Sequence, residues 1–128
     1  MALRTQDDAL KRMALVPRVL EARGLDVTPG MIKRLKQIGD DETIVILDII
    51  LADEIGHVAI GSKWYKYCCD EQNVEPIETF RTLIQNYMKT PLKSPFYEEG
   101  RLQAGFSKKE IEGLLKLEEE MNKSLGRN

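Results

Sequence analysis

Residues 51–61, LADEIGHVAIG, place two carboxylates and the only histidine of the 128-residue chain inside an apolar stretch. The carboxylates are Asp53 and Glu54, and the histidine is His57. A charged side chain inside an apolar element needs a partner or a function, because burying it alone is costly. On a buried helix these residues are therefore candidates for chemistry, whereas on a surface loop they would indicate little.

A helix would bring part of this group together with one residue from another segment. Glu54 and His57 are three residues apart and share a helical face. In an earlier segment Glu21 interrupts an apolar stripe in the same way. Two carboxylates and an imidazole that face each other suggest a metal that neutralises them. A Glu-x-x-His pair plus one Glu is half of the ligand set of ferritin-like di-iron bundles, which use four Glu and two His.

The sequence therefore predicts a metal site formed by Glu21, Glu54 and His57, and two copies related by a two-fold axis would complete the set. Carboxylates are hard donors that can bridge two irons, and imidazole adds a neutral ligand. A zinc protease would need the second histidine of His-Glu-x-x-His, which this chain lacks. The predicted cofactor is thus iron, as a di-iron centre shared between chains. No organic cofactor and no catalytic residue is indicated.

Metal-free interpretations compete with this one. Glu54 and His57 could form a buried hydrogen-bonded pair that specifies docking in a helical interaction module. Glu21 could pair with Arg18 or Arg23. A third hypothesis, an RNA-modifying hydroxylase similar to the bacterial ferritin-like hydroxylase of tRNA, is supported only by the basic character of residues 1–39.

The helix signals place the candidate residues on two long elements. Apolar spacing predicts a first helix over residues 5–24, bent near Met13 because Pro17 removes a backbone hydrogen bond. Thr28 followed by Pro29 predicts the start of a separate short helix that Gly39 stops. Asp40 or Asp41 is expected to cap a central helix that runs to about residue 73. This helix is apolar on nearly all sides, so other elements or another chain should surround it.

Three further elements follow. Pro76 opens a helix to about Met88, and the two prolines of residues 89–100 predict an irregular crossing with a helical turn over 97–103. A capping box of Ser107 and Glu110 begins the last helix. Three aromatic residues near the end of the central helix are expected to be core or dimer contacts: Trp64, Tyr65 and Tyr67.

Composition predicts one soluble domain over residues 1–128. Hydrophobic residues make up 42% of the chain and the net charge is -2, which makes nucleic acid an unlikely partner. Cys68 and Cys69 are adjacent and give no disulfide framework. Since no signal peptide and no bilayer-spanning segment is found, the expected location is the cytoplasm, without membrane contact.

Three stretches resemble one family. RMALVPRVLEARGLDVTPGMI, DEIGHVAIGSKWY and PFYEEGRLQAGFS are similar, in this order, to the C-terminal half of a bacterial ferritin-like family called domain of unknown function four-five-five. The resemblance covers nearly the whole chain.

It implies an all-α fold, a ferritin-like half bundle of two long antiparallel helices with shorter accessory helices. Glu21 would supply the lone ligand, and Glu54 and His57 the Glu-x-x-His pair. Family members carry a further N-terminal half with the other ligands, and the family has no agreed activity. The chain is accordingly expected to be a truncated piece, a split protein with a separate N-terminal-half partner, or a homodimer that completes a four-helix bundle as two-helix encapsulated ferritins do. The expected function is a ferritin-like, metal-binding oxidoreductase of unknown substrate.

Overall fold

The computed structural model describes residues 8–88 and 92–126, which form helices and no β-strand. The predicted all-α fold class is confirmed. The elements are α1 (Ala9–Leu15), a π-helical segment (Val16–Glu21), α2 (Ala22–Ile38), α3 (Asp41–Gln72), α4 (Pro76–Tyr87), α5 (Glu98–Gln103) and α6 (Lys108–Ser124). The predicted start of the first helix at Thr5 lies outside the described residues.

The first three elements form one continuous helical run. Pro17 is the second residue of the π-helical segment, so the helix absorbs the missing N–H by a wider turn there. The helix type thus changes from Val16 onward, and the bend that the sequence predicts near Met13 stays a prediction. Glu21 is the last residue of this segment.

The predicted break between residues 24 and 28 is wrong, because α2 continues through Pro29 to Ile38. The Thr28 hydroxyl donates to the carbonyl oxygen of Gly24 at 2.6 Å, so Thr28 bonds back to the preceding turn instead of capping a new helix. Tertiary contacts reinforce this turn: Leu25 and Thr28 are buried, and Asp26 is held by Arg101. Packing has overridden the local signal of a proline after a capping residue.

Caps confirm the predicted central helix. Gly39 ends α2 with a φ of 76°, and Asp40 caps α3 by accepting a hydrogen bond from the Thr43 amide at 3.1 Å. Asn73 ends α3 in the left-handed conformation. Since only Gly39 and Asp40 separate the two long elements, they lie antiparallel as a helical hairpin.

The shorter helices pack at one end of this hairpin. The predicted helix at Pro76, the turn before Gln103 and the capping box of Ser107 and Glu110 are all confirmed. One hydrophobic cluster joins these helices to the hairpin; its fully enclosed members include Leu25, Val58, Tyr65, Ile84 and Leu117. No helix within the described ranges is long and apolar enough to cross a membrane.

The other end of the hairpin extends beyond this core. All buried residues of α3 lie between Val58 and Cys69, and those of α2 end at Thr28. We refer to residues 29–56 as the arm. Leu51 and Ile55, at its base, still pack against the core. On the α2 side the arm has the ten residues 29–38, so at a rise of 1.5 Å per residue it projects roughly 15 Å. The expectation that other elements surround the central helix is therefore met only for its C-terminal half by the described residues.

Candidate functional site

Glu54 and His57 lie where the arm meets the core. They occupy one face of α3, and the Nδ1 atom of His57 is 3.9 Å from the Oε2 atom of Glu54. The side chain of Glu54 is 27% exposed, whereas that of His57 is 65% exposed. The sequence-based expectation that this group is enclosed is corrected: within the single chain it faces outward.

Glu21 approaches this pair from the neighbouring helix. Gly24 follows Glu21 by about one turn, and a Cβ atom added at Gly24 would lie 3.8 Å from the Cγ atom of Glu54. This is an ordinary van der Waals distance, so the side chain of Glu54 lies against the backbone of α2 at Gly24. Burial, and then the negative charge of Glu21, raise the pKa of Glu54, while His57 acts in the opposite direction. Two carboxylates of like charge are thus brought near each other.

The three predicted ligands are neighbours, but they do not form a finished metal site. Within residues 8–88 and 92–126, no three His, Cys, Asp or Glu side chains are arranged to hold a metal ion. Among the described residues Glu21 forms an ion pair with neither of the alternative partners that the sequence left open, Arg18 and Arg23; the Arg18 guanidinium binds Glu110 instead. What the chain presents is a pair, Glu54 and His57, with a second carboxylate beside it.

Exposed apolar side chains lie on both long helical elements that carry this group. We call them the open face, and they include residues of the arm and residues further along both helices: Leu20, Met31, Ile38, Val45, Ile46, Ile49, Ile50, Ile60, Trp64 and Tyr67. Trp64 and Tyr67 contact each other edge to face with ring centroids 5.7 Å apart, while Tyr65 lies in the core. Exposed apolar residues in such number are a feature of surfaces that contact other molecules.

The raised pKa of Glu54 predicts a pH-dependent effect of removing its charge. A carboxyl group with a raised pKa in the folded state favours folding while it is protonated, and this contribution is lost as the pH rises through that pKa. For the metal-free chain, Glu54→Gln is therefore expected to raise the midpoint of unfolding slightly at pH 7. The gain should vanish as the pH falls below the ordinary glutamate value of 4.5.

Thermal unfolding of the metal-free chain at pH 7 and at pH 4 measures this difference. Asp53→Asn is the matched control, because it removes the same charge from an exposed position one residue away. The control should change stability by less than about 0.5 kcal/mol at either pH. A loss of stability at pH 7 for Glu54→Gln would contradict the prediction.

The sequence did not reveal a buried polar cluster around Arg18. This side chain is 1% exposed. Its Nε atom donates to Ser62 at 3.0 Å and its Nη2 atom donates to Glu110 at 2.6 Å. The guanidinium also stacks over three rings, those of Tyr65, Phe80 and Phe106. The available signal was an arginine four residues from Ala14 and from Ala22, on the buried stripe of the helix.

A second buried ion pair joins α5 to α2. Arg101 binds both carboxylate oxygens of Asp26, at 2.9 and 2.6 Å, and both side chains are 4% exposed. Asp26 also accepts from the amide of Tyr97 at 2.8 Å. Nothing local in the sequence marks this pair, since its members are 75 positions apart.

The adjacent cysteines are free thiols. Burial raises the pKa of Cys69, which disfavours the reactive thiolate. The expectation that they take no part in chemistry stays a prediction.

Comparison with known proteins identifies the family of the chain, but the matches do not name an activity. Residues 1–112 match the family described as protein of unknown function (DUF455). An uncharacterised protein of Haemophilus influenzae is 42% identical over 119 residues, which cover 93% of this chain and 41% of that protein. The chain thus spans about two fifths of the length of this relative. No solved structure matches the chain significantly. On the family match and this identity, the chain belongs to the DUF455 family.

Proposed function

We propose that the chain is half of a ferritin-like bundle, which binds iron as a di-iron carboxylate centre at the interface with a second copy of itself and belongs to the oxidoreductase class. The open face is the observation that carries this proposal. It includes exposed apolar residues of α3 that precede and follow Glu54 and His57 in the sequence, and others on the first helical run. A second hairpin laid on this face would bury the apolar side chains and enclose the polar group at its centre.

The donor set fits iron. One chain brings two carboxylates and one imidazole to the same region, and a two-fold axis would double this to four carboxylates and two imidazoles. Burial and then the nearby charge of Glu21 raise the pKa of Glu54 in the metal-free chain, which is consistent with a position that a cation would stabilise. The lack of a complete three-residue site in the described part of one chain is consistent with a site that needs two.

Each of the three predicted ligands would have its own role in holding iron. Glu21 and Glu54 would hold iron through oxygen atoms and balance its positive charge, and His57 would bind through a ring nitrogen. Bound iron would supply redox chemistry. The apolar side chains of the open face would exclude water from the centre and so strengthen the interaction between charges there.

The same face also supports a second candidate, a metal-free interaction module. Here Glu54 and His57 would serve as a polar pair that fixes the register of two apolar surfaces. Their 3.9 Å separation is too long for a hydrogen bond in the single chain, so this role would require the pair to tighten on docking. The two adjacent free thiols are compatible with the cytoplasm, which we propose as the location.

Metal content and mass in solution test the proposal together. Protein produced in iron-supplied cells is expected to be a dimer with about one iron per chain. Glu54→Gln and His57→Asn should each remove most of the iron and leave the dimer in place. Elemental analysis and light scattering on the same samples measure both quantities.

Two controls separate the site from the interface. Asp53→Asn changes an exposed neighbouring carboxylate and should retain the iron. Ile49→Glu places a charge in the open face and should abolish both dimer and iron, whereas Leu115→Glu alters an exposed apolar residue of α6 and should abolish neither. A dimer without iron would favour the interaction module. A monomer without iron would contradict the proposal.

A further inference from the structure

A cavity of about 300 Å³ lies beside the buried arginines. Its walls come from the π-helical segment and α2, from α4, from the irregular crossing that precedes α5, and from α5 and α6. Its apolar lining consists of Val19, Leu20, Phe80, Ile84, Met88, Leu92, Phe96 and Leu114. Its polar lining consists of Arg18, Arg23, Asp26, Lys93 and Arg101.

The two buried guanidinium groups in this lining have donors left over. Arg18 uses Nε and Nη2, and Arg101 uses the same two atoms on Asp26. Among the described residues, the Nη1 atoms of both arginines are buried and have no hydrogen-bond partner. Buried donors without a partner are unfavourable in a folded protein, and they are unusual at charged groups. A ligand with acceptor oxygens would therefore stabilise them.

The ring of Phe106 holds the two arginines near each other. The guanidinium carbon of Arg18 is 4.2 Å from the centre of this ring, and that of Arg101 is 4.8 Å from it. Both cations line the cavity, and their planar groups are suited to carboxylate or phosphate oxygens.

The cavity lining carries more positive than negative charge. Four cationic side chains face the cavity region, and Asp26 is the one carboxylate among the described lining residues. Glu110 compensates Arg18 from outside the lining, which leaves an excess of two positive charges. Arg23 and Lys93 are exposed, so they lie at the rim where a charged ligand would enter.

We propose that this cavity binds an amphiphilic organic anion, with a carboxylate head on the Arg18 and Arg101 side and an apolar body among the aromatic and aliphatic lining. The volume suits a small ligand at the lower end of the usual range for binding pockets. This site shares no ligand residue with the proposed iron centre, and neither proposal depends on the other.

Octanoate is the probe, with octanol as the neutral compound of matched length and acetate as the anion without an apolar body. Isothermal titration calorimetry on the full chain is expected to show octanoate binding, with octanol and acetate at least about tenfold weaker. Equal affinities for octanoate and octanol would overturn the anion site. Absence of octanoate binding would overturn the proposal as a whole.

Rim variants test the position of the site without disturbing the buried pairs. Arg23→Ala combined with Lys93→Ala is expected to weaken octanoate about tenfold or more. Lys36→Ala combined with Lys63→Ala removes the same net charge from exposed positions outside the cavity, and should change the affinity less than about twofold. Equal weakening by both pairs would show general surface attraction and overturn the assignment.

Discussion

Replacement of Arg18 by methionine is expected to lower the free energy of unfolding by about 3–5 kcal/mol, because it leaves the carboxylate of Glu110 buried without its charge partner. The same change removes the hydrogen bond to Ser62 and the stacking over three aromatic rings. Methionine fills much of the vacated volume, so the loss should come mainly from the unpaired charge.

Urea unfolding measures this loss, and Arg12→Met is the matched control. Arg12 lies on the preceding helix, is exposed and makes no ion pair with a described residue, so its replacement should change stability by about 0.5 kcal/mol or less. A loss below about 1 kcal/mol for Arg18→Met would show that the ion pair is not what holds these helices together.

A double variant distinguishes the buried charge from lost packing. Glu110→Gln keeps the capping box, because glutamine can replace glutamate at that position, but it removes the charge. Added to Arg18→Met, it is expected to recover at least about 1 kcal/mol, because no buried charge then lacks a partner. If the double variant is less stable than Arg18→Met alone, the loss arises from packing around the arginine instead.

Glu110 also shows which part of the fold can be predicted from sequence. Its role in the capping box follows from Ser107 three residues earlier, and the structure confirms it. Its partnership with Arg18 spans 92 positions and depends on how α6 crosses the first helical run. Local patterns encode caps and helix periods, whereas the pairing of distant side chains depends on a packing that a single sequence does not reveal.

The Thr28–Pro29 pair illustrates the opposite error. Read locally, it signals a helix start, but the helix continues through it because Asp26 is fixed by Arg101 and Leu25 is enclosed in the core. Proline tolerated inside a helix depends on such tertiary support. The sequence therefore places the helical segments correctly and misplaces the point at which one should end.

At the candidate site, the sequence predicted which residues lie near one another, but not that they are exposed in the single chain. Glu54 and His57 share a face of α3, as their spacing indicates, and Glu21 at the end of the π-helical segment acts on Glu54 from the neighbouring helix. The apolar pattern was interpreted as burial, yet the apolar side chains of this part of α3 are largely exposed in the described structure. Periodicity identifies an apolar stripe and cannot say which molecule covers it.

Gly61→Ala is expected to lower the free energy of unfolding by about 3 kcal/mol, at the upper end of ordinary overpacking. An added Cβ atom would lie 2.3 Å from both the Cβ and the Cγ atoms of Pro17. Both residues are buried, and the proline ring cannot rotate away. The two long helices would have to move apart at the π-helical segment, which also ends in Glu21.

Gly113→Ala is the matched control, since Gly113 lies inside α6 and nothing is within 4 Å of an added Cβ atom. Because alanine has a higher helix propensity than glycine, the substitution should stabilise the chain there by about 0.5–1 kcal/mol. The same chemical change is thus expected to alter the free energy of unfolding in opposite directions at the two positions, and urea unfolding of both variants measures this. Stabilisation by Gly61→Ala would mean that the helices can separate without loss, and that the contact between Pro17 and Gly61 does not set the position of Glu21 relative to Glu54.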